Sequence, residues 1–212
     1  MPRRTTDRLG PLADGRLFSP SAERNAQPIV EALGPLLAGA SGTVLEVGAG
    51  TGQHVAALAA AFPGLDWQPS EAYEAFLDSI LAWVGETDLP NLHAPIRLDA
   101  AEPWPDLGPL GGVMAINVIH IAPWAVAEGI VRGAEAALAP GAPLIFYGPF
   151  KEGGQHTGEG NARFDAALRA ENPTWGVRDL DELSATAIRA GFAGPDVTPM
   201  PANNRLVCYR RR

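Results

Sequence analysis

The sequence has a single cysteine, Cys208, so no disulfide can close within the chain and a reducing compartment suits it. It is also poor in positive charge: 16 Lys and Arg stand against 24 Asp and Glu, a formal net charge of −8. Nucleic acid and anionic membrane surfaces call for the opposite balance, so neither is expected as a partner. The basic runs Arg3-Arg4 and Arg210-Arg211-Arg212 are short and read as solvated tails. No apolar stretch approaches the ~20 residues of a membrane span. The first residues lack the apolar centre of a signal peptide, so a cytoplasmic location is expected. No His/Cys grouping has metal-ligand spacing, and no metal is expected. There is no internal repeat and no linker. Residues 1–17 read as a flexible arm and 18–212 as one domain, with monomer and homodimer both open.

What the chain does have is apolar material, 46% of its residues, and one organising stretch. Val44-Leu45-Glu46-Val47 reads as a strand buried on both faces. Three glycines follow at alternate positions, Gly48, Gly50 and Gly52, and then an alanine-rich helix over 55–62. Strand, glycine turn and helix form the first unit of a nucleotide-binding α/β fold. A dinucleotide site needs the spacing G-x-G-x-x-G. Here the third glycine comes one residue early and Gln53 stands where glycine should be, which argues against a nicotinamide oxidoreductase. Glu46, at the end of an otherwise apolar strand, is costly to bury unless it has a partner.

The rest of the chain alternates strand and helix. Ser19 is a plausible N-cap with Pro20 at the first helical position, and Pro28 should end or kink that helix. Residues 65–71 read as the second strand. About 18 residues past Gly52, Ser70 and Glu71 fall where such folds place a carboxylate for the two ribose hydroxyls, and both are candidates. Helices are expected over 72–84, 125–138, 161–168 and 180–190, and strands over 96–99, 112–121 and 143–150. Trp104 either lines the ligand pocket or plugs a loop. Asn117 and His120 lie at the carboxyl end of the fourth strand, where open α/β sheets bind ligands, and His120 could act as a base. Residues 151–160 read as a mobile loop that could serve as a lid, and 197–209 as two strands around a turn. Cys208 reads as a packed strand residue.

The E-x-G-x-G-x-G pattern from Glu46 to Gly52 resembles motif I of the class I S-adenosylmethionine (SAM) methyltransferases. Longer phrases sharpen the resemblance: Ser19-Pro20-Ser21-Ala22-Glu23-Arg24-Asn25, Gly50-Thr51-Gly52-Gln53-His54, Trp67-Gln68-Pro69-Ser70, Asn117-Val118-Ile119-His120-Ile121 and Met200-Pro201-Ala202-Asn203-Asn204. From about residue 18 onward the chain is similar to the methyltransferase-like protein 26 family. The resemblance implies a three-layer α/β/α Rossmann-like fold, with a seven-stranded, mostly parallel sheet finished by an antiparallel C-terminal hairpin. It implies SAM or S-adenosylhomocysteine (SAH) as ligand. Glu46, Gly48, Ala49, Gly50, Thr51, Gly52 and His54 would surround its methionine end. Ser70 or Glu71 would take the ribose, Asp99 the adenine amino group, and Asn117 would lie alongside. Arg24, Asn25, His120, Tyr147, Asn203 and Asn204 would face the methyl acceptor, with His120 and Asn117 as catalytic candidates. The expected activity is methyl transfer to an unidentified small molecule; the alternative is a SAM/SAH-binding protein without catalysis.

Overall fold

A computed structural model describes residues 9–212 of the chain. Two short strands come first, β1 (Gly10–Pro11) and β2 (Leu17–Phe18), paired antiparallel. They occupy part of the segment expected as an arm; residues 1–8 of that segment lie outside the described residues. Helix α1 (Pro20–Leu36) begins at Ser19, whose side chain accepts a hydrogen bond from the Ala22 amide at 3.2 Å. The helix, expected to end or kink at Pro28, does not end there, and α1 runs on through Pro28 and Pro35. Proline removes one backbone hydrogen bond. Here the buried side chains of Ile29, Leu33 and Leu37, beyond Pro28, pack with Val55 and Leu58, and that burial outweighs the loss.

Next come β3 (Thr43–Val47), α2 (Gln53–Ala61), β4 (Asp66–Glu71), α3 (Glu74–Thr87) and the short β5 (Ile96–Arg97). They are followed by β6 (Gly112–Ile116), a 3-10 turn at Ile119–Ile121, α4 (Trp124–Ala137) and β7 (Pro143–Glu152). The rest is β8 (Gln155–His156), α5 (Glu159–Glu171), β9 (Arg178–Asp179), α6 (Leu180–Arg189), β10 (Phe192–Met200) and β11 (Asn204–Arg211). Seven strands form one continuous path in the order β10-β11-β7-β6-β3-β4-β5. The five from β7 to β5 are parallel, and β11 and β10 are antiparallel additions. The tiny β8 and β9 pair with the far end of β7.

Residues 151–160 therefore do not form the loose loop expected from their glycines. Gly153 and Gly154 have φ of +56° and +77°, the two positive values that a two-residue hairpin turn demands, and they join β7 to β8.

Side chains alternate along each strand and feed two cores. Leu45, Val47, Val113, Phe146 and Tyr209 face α4 and α6. Val44, Trp67, Met114, Ile145 and Cys208 face α1 and α2. The result is the expected α/β/α sandwich. Cys208 is a buried member of the second core, and burial lifts its thiol to about 11, so it is packing material.

Candidate functional site

The order of the sheet reverses between β3 and β6: the chain first builds outward through β4 and β5, then crosses back to β6 and β7. Strand ends on either side of such a reversal leave a crevice. The glycine turn fills the bottom of this one. Gly48, Gly50 and Gly52 have φ of +68°, +56° and +93°, which L side chains rarely adopt. At Gly48 a Cβ would meet Val118 Cγ2 at 2.8 Å, whereas at Gly50 nothing lies within 4 Å. The turn is thus tight against Val118, just past the end of β6, on one side and open on the other. It is tied down by Ala49 N–H to the Ser70 carbonyl (2.9 Å) and by Gly52 N–H to the Ala49 carbonyl (3.0 Å).

Alternation puts Glu46 on the Val44 side of β3, under α1 and α2. It is 1% exposed, and its Oε2 has no hydrogen-bond partner. Burial, with a smaller push from the charge of Glu71, raises its pKa to about 8. Glu71 ends the neighbouring strand. Its Oε2 accepts the Gly50 amide at 3.1 Å, and its Oε1 accepts the Ala72 and Tyr73 amides at 2.8 and 3.3 Å. Burial raises its pKa and these bonds oppose the rise.

Of the two ribose candidates, only Glu71 faces the turn. Ser70 is 0% exposed and its hydroxyl donates to the Glu46 carbonyl at 2.9 Å, so strand pairing consumes it. His54, in the first turn of α2, is buried with Nδ1 unpartnered, and burial lowers its pKa to about 4. Thr51 is buried and its hydroxyl donates to Gln53 Oε1 at 3.1 Å. Asp99 is exposed just beyond β5, with Oδ1 accepting the Ala101 amide at 3.0 Å.

Past β6, Asn117 takes a positive φ of +57°, and its amide donates to the Tyr147 carbonyl at 2.8 Å. His120 follows on the 3-10 turn. A Cβ on Gly148 would lie 3.1 Å from the His120 ring and 3.2 Å from Asn117 Oδ1, so β7 presses closely on both. His120, the candidate base, sits in an enclosed setting. It is 4% exposed, and burial, reinforced by the charge of Arg178, pushes it down to about 3. Both causes favour the neutral imidazole in the free chain.

Tyr147 and Asn204 form one unit, Asn204 Nδ2 donating to the phenol oxygen at 3.1 Å. Asn203 has φ +60°, and its carbonyl accepts from Thr157 Oγ1 (3.2 Å) and Asn161 Nδ2 (3.1 Å). Arg24 is exposed on α1, and no hydrogen bond or ion pair among the described residues ties it to the crevice; Asn25 beside it is half-buried.

Several participants carry no motif of their own. Phe164 of α5 sets its ring against His120, centroids 5.5 Å apart at 69°. Arg178 fixes the 3-10 turn through the Ile119 and Ala122 carbonyls at 3.0 and 2.5 Å. Trp104 settles as a plug: its ring covers Gly133 of α4. It also lines a separate cavity of about 890 Å³, between residues 102–109 and the far end of α4, which shares no residue with the crevice. Among the described residues, no helix is long and apolar enough to cross a membrane, and no group of three His, Cys, Asp or Glu could hold a metal.

Solved structures with this fold include the mitomycin 7-O-methyltransferase MmcR (20% identity, TM-score 0.77). Another is an O-methyltransferase family 2 protein from Planctomyces limnophilus in complex with apigenin (19%, 0.75), and a third is PigF with SAH (16%, 0.72). Each alignment covers 91% of this chain but 54%, 58% and 64% of the respective neighbour, so the chain spans a little over half the length of these proteins. These likenesses establish the class I methyltransferase fold. Residues 16–211 match the model of the family described as protein of unknown function DUF938, and the chain belongs to that family.

Proposed function

We propose that the protein is a SAM-dependent methyltransferase acting on a small-molecule acceptor, and that it is a cytoplasmic relative of methyltransferase-like protein 26 working as one domain from about residue 18. The observation that carries this reading is the orphaned carboxylate of Glu46. A buried acid with a free oxygen, beside a glycine turn open at Gly50, is a cradle for a ligand that brings its own positive charge. SAM fits that description at its methionine end. Glu46 would receive the ammonium group and the glycine turn the chain of the amino acid. Glu71 would receive the ribose hydroxyls and Asp99 the adenine amino group. His54, with its unpartnered Nδ1, borders the same end.

When bound, SAM supplies an electrophilic methyl group for in-line transfer. The protein's own contribution is position. Asn117, fixed in a strained conformation, and His120, clamped by Gly148, Phe164 and Arg178, would hold the acceptor in line, and positioning of this kind can lower a barrier by ~7–11 kcal/mol. His120 serves this role as a neutral hydrogen-bonding group, which suits an acceptor already nucleophilic without a strong base. Tyr147, Asn203, Asn204, Arg24 and Asn25 would border the acceptor. The O-methyltransferases among the structural neighbours make an oxygen atom the first target to test.

The test is titration calorimetry with SAH, SAM and NADH, followed by a screen of tritiated SAM against cell extract. Binding of SAH well ahead of NADH, with label incorporated into a small molecule, is the expected result. Absence of SAH affinity would end the reading. Binding without incorporation would favour a sensor or partner subunit.

A further inference from the structure

Gln53 breaks the dinucleotide pattern, and its side chain does not face the crevice that the glycines open. It is 5% exposed and turns toward the start of α1. Its Oε1 accepts the Ser19 amide at 2.5 Å and its Nε2 donates to the Ser19 carbonyl at 3.4 Å. A second tie lies two residues upstream. Ser79 of α3 accepts the Leu17 amide on its hydroxyl oxygen at 2.8 Å and donates to the Thr51 carbonyl at 2.7 Å. Trp83 adds a third, its indole N–H donating to the Leu17 carbonyl at 3.2 Å while the Arg16 guanidinium lies 4.5 Å above its ring. The same Trp83 crowds Gly52, where a Cβ would come within 3.1 Å of the ring and 3.0 Å of the Ile80 backbone.

Both polar side-chain atoms of Gln53, and the hydroxyl of Ser79, therefore help to join residues 17–19 to the glycine turn. Such bonds form a closed set: the turn cannot change shape without moving the segment, and the segment cannot lift without loosening Thr51 and Gln53. Four hydrogen bonds across 34 to 66 residues of sequence, with a fifth from Ser79 to Thr51, are more than helix capping requires, since Ser19 already caps α1 with its own side chain.

We infer that Gln53 and Ser79 are positioning residues that couple the segment 17–19 to occupancy of the glycine turn. The inference rests on the methyltransferase reading of that turn. Ligand binding fixes the turn and thereby the segment; loosening the segment weakens the ligand by the same factor, because coupling between two sites is reciprocal. The start of α1, with Arg24 and Asn25 in its second turn, is carried along, which ties one border of the acceptor space to cofactor binding.

The experiment measures hydrogen exchange of the Leu17 and Ser19 amides and SAH affinity, in the full chain and in Gln53→Met and Ser79→Ala. In the wild type, SAH should slow exchange at both amides. Each variant should bind SAH roughly tenfold more weakly and lose the ligand-dependent slowing. A purely structural role would lower the melting temperature of the free protein and leave both readouts intact. If the wild type binds SAH but the variants match it within about twofold, and exchange at Leu17 and Ser19 ignores the ligand, the coupling is refuted and the methyltransferase reading stands. If the wild type fails to bind SAH at all, both fall together. Two variants at separate positions guard against one failing to fold.

Discussion

Glu71 stands one strand away from Glu46, and its charge adds to the burial that holds the Glu46 proton, lifting that carboxyl to about 8. At neutral pH the free protein therefore keeps Glu46 mostly uncharged. A bound ammonium group would reverse the balance and draw the proton off. SAH binding should release protons at pH 7, and affinity should rise as pH climbs from 6 to 8. Calorimetry in buffers of different ionisation heat measures the release directly. Glu46→Gln should abolish the proton release and weaken SAH at least tenfold, as expected for loss of a charge-assisted bond.

Stability should pass through a maximum slightly below neutrality. The Glu46 pKa is raised on folding, from 4.5 to about 8, so its contribution is fully present below 4.5 and is lost as pH rises through 8. His54 and His120 are lowered on folding, from 6.5 to about 4 and about 3, so theirs is present above 6.5 and is lost as pH falls toward those values. Thermal unfolding of the free protein should thus weaken on both sides of about pH 6. Glu46→Gln should flatten only the alkaline side, by an amount on the order of a few kcal/mol.

Ser70 and Glu71 are separable by mutation. Glu71→Ala removes the acceptor of the Gly50 amide and should weaken SAH more than tenfold. Ser70→Ala loses a single bond to the Glu46 carbonyl, which should cost about 1 kcal/mol of stability and leave affinity nearly unchanged. Equal losses of affinity in the two would show that the assignment of the ribose to Glu71 is mistaken.

Gly133 offers a control remote from the crevice. A methyl group there would run into the Trp104 ring. Gly133→Ala should cost about 1–3 kcal/mol and lower the melting temperature by several degrees, with SAH affinity intact.

The central parallel strands and the glycine turn were legible because they depend on local pattern. Val44 to Val47 and Gly112 to Ile116 are unbroken apolar runs, and three glycines at alternate positions leave few backbone options. Features decided by distant packing were not. Pro28 signals a break by itself, and only the burial of Ile29 and Leu33 against α2 overrides it. Gly153-Gly154 looks like slack until β8 is seen to pair with β7. The choice between Ser70 and Glu71 needed the register of β4 beside β3, which the sequence does not print. Gln53 was read for its mismatch to a pattern, whereas its meaning lies 34 residues upstream at Ser19. The enclosure of His120, which lowers its pKa, comes from Arg178 and Phe164 and is invisible in its residue type.

The bond between Tyr147 and Asn204 spans 57 residues of sequence, because β11 slots in beside β7 only after α5, α6 and β10 have been laid down. Contacts of such long range form late in folding. The glycine turn is held across distances just as great, 62 residues from Leu17 to Ser79 and 66 from Leu17 to Trp83, so neither wall of the crevice closes ahead of the other. A partly folded molecule should therefore hold no finished pocket, and SAH added during refolding should leave the folding rate unchanged.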